Sequence, residues 1–435
     1  MKKNIIFLFL LLFLSSPIFA QKELTLEKVT VVSRHSVRAP LEKYLSTLDE
    51  MTGGGYQWTR WSVPGSHLTL KGGALEMLFG EYFRLWLQEK DFKVDSTDVY
   101  FGASSKQRTI ATARAFAAGA FPQINSRVDF KLDCKGEIGV LDPDYLPLLN
   151  AEDSEDGEFN TDAFRKEAYR ELGQLRAPSF ALLEEVLRMG SASYVNRYGE
   201  KHFDTCVKVS LDFRDKKGNR LEPTMNGGLK DANMASDAFI LQYYEMEDTR
   251  KAAFDHRLDY VAWKELASIK DFYGEILFSR APIIAVNVSH RMLMRIRSEM
   301  LPEGHKFAFF CTHDSMLESL LAALRVNHYV LTNTIESRTP IGGKVLFEQW
   351  TDAYCDDTLK YVRVRYVYQA DDQIRNMEQL DLTNPPMSCE LSFEGLEKQP
   401  NGMYKYEDFM RHLQNSIEAY EATARGKHPW KQKKQ

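Results

Sequence analysis

The stretch KVTVVSRHSVRAP, Lys28 to Pro40, decides how the chain is read. Its first half, Lys28 to Ser33, is short, β-branched and apolar, the composition of a buried strand. Its second half turns polar and cationic within one residue: Arg34, His35, Ser36 and Arg38. The same arrangement recurs twice. Val99 to Phe101 is a short strand pattern, followed by Ser104, Ser105, Lys106 and Arg108 at the start of an alanine-rich helix pattern, Gln107 to Ala118, which Gly119 closes. Phe307 to Cys311 is a third strand pattern, and His313 and Asp314 stand between it and a helix over Ser315 to Leu324. In an open α/β sheet, ligands bind in the crevice beyond the carboxyl ends of the strands. Three junctions far apart in sequence therefore send cations and titratable groups to one edge, where helix N-termini add a preference for an anion.

Outward from these junctions, the rest of the chain divides into blocks. Leu75, Leu78, Phe79, Tyr82 and Trp86 repeat at helical spacing and form an amphipathic stripe. Gly53 to Gly55 mark a loop, and the acidic run Glu152 to Glu158 reads as a solvated one. Phe164 to Tyr273 carries helical periodicity with few strand signals. Strand-like runs return at Ala281 to Val288, Val345 to Trp350 and Tyr361 to Tyr368, the last alternating Val362, Val364, Tyr366 and Tyr368 on one face. This predicts an α/β domain with helices on both sheet faces, interrupted by a smaller, mainly helical domain. The expected boundaries are a signal peptide over 1–20, a first α/β segment over 21–150, the helical domain over 151–280, a second α/β segment over 281–425 and a basic tail over 426–435.

The signal reading rests on Lys2 and Lys3, the apolar run Ile5 to Leu14, then Ser15, Ser16, Pro17 and Ala20. That run is too short to span a bilayer. Export, to the periplasm or alternatively the cell exterior, is the expectation, with no membrane attachment after cleavage. In an oxidising compartment Cys134, Cys206, Cys311, Cys355 and Cys389 could pair, and an odd number leaves at least one free. None has metal-ligand spacing. The formal net charge of −5 across 435 residues gives no general attraction to nucleic acid, so an anionic ligand must be held by a local cluster of cations.

The three junctions contain the groups needed for phosphoryl transfer. Arg34, Arg38 and Arg108 supply planar donor forks that match phosphate oxygens. His35, set among arginines, is biased toward neutral imidazole, whose free nitrogen can attack phosphorus. His313 can donate to the same oxygens, and Asp314 can hand a proton to the departing alkoxide. Taken singly, each of these residues reads as a cap or a surface ion pair. Their joint occurrence at three equivalent junctions is what points to a site.

RHSVRAP with His313-Asp314 far downstream resembles the histidine acid phosphatases, branch two of the histidine phosphatase superfamily. The flanking segments Trp61 to Glu76, Ser104 to Pro122, Ser236 to Glu245 and Arg338 to Trp350 are similar to the glucose-1-phosphatases of that family and, more distantly, to its bacterial phytases. The resemblance spans nearly the whole mature chain. It implies an exported acid phosphomonoesterase acting on sugar phosphates such as glucose 1-phosphate, and on inositol polyphosphates as well. His35 would take the phosphoryl group, Asp314 would protonate the leaving oxygen, and Arg34, Arg38, Arg108 and His313 would hold the phosphate. No metal or organic cofactor is implied. Many members have Gly after the nucleophile, whereas Ser36 stands here and would narrow the space beside the phosphate. Glu245 would stand on the helical lid and contribute to substrate choice.

Two other readings stay open: a dedicated phytase, and a non-catalytic phosphosugar-binding protein, although a binder has no need of both a nucleophile and a proton donor. The remaining histidines have no partners at motif spacing. Gly342-Gly343-Lys344 lacks the rest of a nucleotide loop and reads as the turn into the Val345 strand. The aromatic cluster Tyr56 to Trp61 reads as core rather than a sugar platform.

Overall fold

The computed structural model describes residues 24–52, 58, 60–155, 157–187, 202–205, 207–213, 222–352 and 359–430. The expected signal segment, the Gly53 to Gly55 loop, Tyr56, Cys206, Cys355 and the last five residues of the tail lie outside these. In chain order the strands are β1 (Leu24–Arg34), β2 (Val99–Ala103), β3 (Val128–Asp129), β4 (Lys208–Ser210), β5 (Thr224–Asn226), β6 (Phe307–Thr312), β7 (Lys344–Asp352), β8 (Lys360–Tyr368), β9 (Met387–Glu390) and β10 (Tyr404–Lys405). The principal helices are α1 (Glu42–Thr52), α2 (Leu70–Glu89), α3 (Gln107–Ala120), α4 (Thr161–Leu172), α5 (Ala181–Val186), α6 (Gly228–Glu245), α7 (Tyr260–Gly274), α8 (Pro282–Met300), α9 (Asp314–Ala323) and α10 (Tyr406–Ala424).

Eight strands make one mixed sheet in the order β10–β8–β7–β1–β6–β2–β3, with β9 also paired to β8. β6 lies between β1 and β2 and runs parallel to both, whereas β7 and β8 are antiparallel. The central strands alternate strictly between two cores, as period-2 geometry requires. Val29, Val31, Phe307, Phe309 and Leu346 face α2 and α3, while Val32, Ala308, Phe310, Val345 and Phe347 face α8, α9 and α10. On β8, Val362, Val364, Tyr366 and Tyr368 are buried and the residues between them less so, up to the fully buried last turn of the strand.

Two expectations are corrected. Ala281 to Val288 is not a strand but the opening of α8. Pro282 sits in its first turn, where a missing N–H costs nothing, and the apolar run is buried on every side, a pattern that periodicity cannot tell from a buried strand. Gly119 does not close α3 but lies inside it. A Cβ there would come within 2.1 Å of the Met77 carbonyl, and one on Gly80 within 2.2 Å of the Phe116 carbonyl, so the two glycines allow α2 and α3 to pack backbone to backbone.

A third core is built around α6, almost every residue of which is buried, with α1, α4, α5 and α7 against it. The two-stranded β4–β5 ribbon belongs to this helical layer. Trp58 packs on Phe239 and Phe254 there, which is the structural role read for it. Cys134, Cys311 and Cys389 are free. Among the described residues no helix is long and apolar enough to cross a membrane.

Candidate active site

Register explains why the three junctions meet. Arg34 at the end of β1 lies beside Thr312 at the end of β6, and Cys311 lies beside Ala103 at the end of β2. The next residues along, His35, His313 and Ser104, therefore emerge level with one another. The chain leaves the sheet through His35 N–H to the Thr312 carbonyl (3.1 Å) and Ser104 N–H to the Cys311 carbonyl (3.0 Å). A cleft of about 340 Å³ opens above this edge and is roofed by the helical layer, with Tyr44, Glu222, Asn233, Asp237, Lys270 and Tyr273 facing His35, Arg38, Arg108, His313 and Asp314.

His35 Nδ1 lies 2.9 Å from the carbonyl oxygen of Ser36. A carbonyl only accepts, so Nδ1 carries the proton and Nε2 holds a free lone pair. Burial, and then the charges of Arg108, His313, Arg38 and Arg34, holds this imidazole well below its usual pKa. Burial and the cationic neighbours thus favour the neutral ring.

The arginines differ in how far their charge is already spent. Arg34, 1% exposed, donates to Glu336 Oε1 (2.6 Å) and to the Thr339 carbonyl (2.6 Å). Arg38 Nη2 donates to both carboxylate oxygens of Asp237, at 2.9 and 3.2 Å. Arg108 has no carboxylate within ion-pair distance among the described residues, and its one hydrogen bond runs from Nη2 to His313 Nδ1 at 3.3 Å. Burial, with Arg38 nearby, pulls its pKa down to about 10. A desolvated guanidinium without a counter-charge is costly, and a phosphate in the cleft would supply the missing anion.

His313 departs from its expected role as a donor to phosphate. Arg108 can only donate, so His313 Nδ1 is the acceptor and its protonated Nε2 donates to Ser104 Oγ at 3.0 Å. Burial and Arg108 hold this ring well below its usual pKa too. In the free site His313 aims Arg108 rather than offering a proton of its own. Asp314 begins α9, its Oδ1 accepting the Ser315 N–H at 2.9 Å. Its Oδ2 lies 2.6 Å from Lys270 Nζ and 3.5 Å from Arg34 Nη2.

Arg34, Ser36 and Glu245 are not among the residues that line the cleft. Ser36 is 2% exposed, and its Oγ lies 3.8 Å from where a Cβ on Gly342 would stand. Glu245 is the last residue of α6 and accepts from Thr69 Oγ1 at 3.0 Å, at the N-cap of α2. It stands eight residues, or about 12 Å, along the helix from Asp237.

The sequence profile described as "Histidine phosphatase superfamily (branch 2)" matches residues 25–368. The chain belongs to that family. It is 33% identical to a glucose-1-phosphatase of Providencia rettgeri over 92% of this chain and 93% of the relative. It is 28% identical to phytase AppA of Escherichia coli over 88% of this chain and 90% of the relative. Its fold matches the phytase of Citrobacter braakii with a TM-score of 0.72 at 25% identity, covering 90% of this chain and 97% of that one. The protein is thus a histidine acid phosphatase, a hydrolase of phosphate monoesters.

Several cleft residues of this phosphatase carry no sequence motif: Lys270, Asp237, Glu222 and, beneath them, Glu336. Asp237 had a usable signal, being the only charge between Asp231 and Glu245 in a long apolar helix. Lys270 had none, since a lysine on an amphipathic helix reads as a solvated face.

Proposed function

We propose that the chain is an exported phosphomonoesterase for sugar phosphates of the glucose 1-phosphate kind, working through a phosphohistidine on His35 with Asp314 as the proton-transfer group. The observation that carries this is the Nδ1–H bond of His35 to the Ser36 carbonyl, which leaves the Nε2 lone pair free on a ring whose strongest charged neighbour is Arg108, itself without a direct ion pair among the described residues.

In the first step the Nε2 lone pair forms the N–P bond while the ester P–O bond breaks, and Asp314 gives its proton to the leaving oxygen, releasing the sugar as an alcohol. Arg34, Arg38 and Arg108 stabilise the charge spread over the phosphoryl oxygens. In the second step the Asp314 carboxylate takes a proton from water, the oxygen of which attacks phosphorus. The N–P pair returns to Nε2 and phosphate leaves. In the free site, burial opposes ionisation of Asp314, but Lys270 and then Arg34 outweigh it and keep the carboxyl well below its usual range. The proton for the first step therefore arrives with the substrate. Below a pH of about 6 a phosphate monoester is a monoanion, and moving its proton to Asp314 yields the dianion and the acid together.

A neutral polyol fits the cleft as the leaving group. The whole lining, phosphate end included, has the carboxyl groups of Glu222, Asp237, Asp271, Asp314 and Glu318 interleaved with the cations Arg38, Lys106, Arg108 and Lys270. Burial and the neighbouring Asp314 push Glu222 up to about 7, so at acid pH it is a neutral acid able to exchange hydrogen bonds with hydroxyls. The phytase relatives keep inositol polyphosphates as secondary substrates of this reading. Export rests on the composition of residues 1–20. The test is phosphate release from glucose 1-phosphate and from phytate under the same conditions. A higher kcat/KM on glucose 1-phosphate supports the proposal, and a clear preference for phytate overturns it.

A further inference from the structure

Asp314 takes its other partners from the sheet side, but its shortest polar contact comes from the helical layer. Lys270 projects from α7, flanked by Leu266, Ala267 and Ile269, which are buried in the core around α6. Its side chain is 11% exposed, with Nζ 2.6 Å from Asp314 Oδ2 and 3.6 Å from Glu336 Oε1. The ammonium is thus held by a packed helix and reaches the site at the one atom that must gain and lose a proton in each cycle. We propose that Lys270 is the positioning residue that keeps Asp314 in its ionised, water-activating form once the first chemical step has taken its proton, and thereby sets the pH range of turnover. This rests on the reading of Asp314 as the proton-transfer group.

The other charges facing Asp314 cannot play this role. Arg34 reaches Asp314 only through Nη2 at 3.5 Å, its Nη1 being held by Glu336 and the Thr339 carbonyl, and it acts on the carboxyl less strongly than Lys270 does. Across the cleft, Arg108 and Glu222 act on Asp314 with opposite sign. His35 and His313 are neutral rings. The phenols of Tyr44 and Tyr273 are pushed up by burial and stay uncharged. Lys270 itself stays protonated: burial and Arg34 oppose its charge, but Asp314 and Glu336 outweigh them. An opposite charge this close moves a carboxyl by roughly one to three pH units. Removing it makes Asp314 hold its proton more tightly in both the substrate complex and the phosphoenzyme.

The experiment compares kcat against pH for the parent, Lys270→Met, Lys270→Gln and Lys270→Arg, with glucose 1-phosphate and p-nitrophenyl phosphate. With glucose 1-phosphate, both neutral variants should shift the whole profile to higher pH by roughly one unit, while Lys270→Arg keeps the parent profile. With p-nitrophenyl phosphate, whose leaving group needs little protonation, only the acidic limb should move. A uniform fall in kcat with an unmoved profile would make Lys270 a substrate-binding or structural residue and overturn the proposal, as would an equal shift in Lys270→Arg. A parent inactive on both esters would defeat the functional reading itself, whatever the variants do.

Discussion

Two lysine–carboxylate pairs flank the nucleophile, one on each side, and they differ in almost everything except chemistry. Lys344–Glu76 is sealed, with both side chains 0% exposed. Lys344 Nζ lies 3.0 and 3.2 Å from the Glu76 oxygens, 2.8 Å from the Gly342 carbonyl and 4.1 Å from the centre of the Phe79 ring. Burial pushes Glu76 up and Lys344 down against their mutual attraction. Lys270–Asp314 stands in the cleft, with the carboxylate 31% exposed. The inner pair reaches His35 through the backbone, because Gly342 N–H donates to the His35 carbonyl at 3.2 Å. Gly342 itself has a φ of 67°, and a Cβ on it would stand 3.1 Å from Glu76 Oε1. The same two functional groups are therefore a fixed support where no ligand reaches and a proton-handling device where one does.

If that division holds, stability and turnover should separate on substitution. The largest effect belongs to the nucleophile: His35→Ala should lower phosphate release from p-nitrophenyl phosphate on the order of 10⁵-fold or more, with little change in melting temperature. Residual turnover above a hundredth of the parent would remove His35 from the covalent role. Next comes the sealed pair. Lys344→Met strands a buried carboxylate and should cost about 3–5 kcal/mol in urea unfolding, whereas Glu76→Leu combined with Lys344→Met should recover most of that loss. If the single variant lost under about 1 kcal/mol, the inner pair would not be a support.

The residues around the cleft were also unequally legible in the sequence. The site residues on strand ends, Arg34, His35, Arg108, His313 and Asp314, could be read because each follows a short β-branched or aromatic run and precedes a helix, so topology alone gathers them. Lys270, Asp237 and Glu336 could not. They reach the cleft through tertiary packing of the helical layer and of the loop before β7, and no local period marks that. Pro282 was misread for a related reason: a helix buried on all sides loses the polar face by which helices are recognised. Ser36 shows the opposite failure, since its place beside the nucleophile in sequence suggested contact with the phosphate, while its side chain is buried and is not among those lining the cleft.

A smaller effect than either of those, and one that depends on the leaving group, is expected at the outer pair. Asp314→Asn keeps a similar shape but holds no transferable proton. It should lower kcat/KM roughly 100-fold for glucose 1-phosphate and only a few-fold for p-nitrophenyl phosphate at the same pH, because a nitrophenolate departs without protonation and hydrolysis of the shared phosphoenzyme does not enter kcat/KM. Equal losses in kcat/KM on the two esters would assign Asp314 to phosphate binding.

The smallest effect is expected at Glu245, where resemblance and geometry disagree. A lid carboxylate that chooses substrates must approach the sugar, yet Glu245 ends α6 beyond the cleft and accepts from Thr69, whose Oγ also takes the Gly72 N–H at the start of α2. Its attachment is to a helix cap, and the carboxamide of Glu245→Gln can accept the same hydrogen bond through its oxygen. The variant should therefore change kcat/KM by no more than about twofold on glucose 1-phosphate, phytate and p-nitrophenyl phosphate alike, and stability by about 0.5 kcal/mol or less. A tenfold loss confined to glucose 1-phosphate would mean that α6 moves its last turn into the cleft when substrate binds. The contrast between a fixed inner region and a responsive outer one would then have to be redrawn to include the end of that helix.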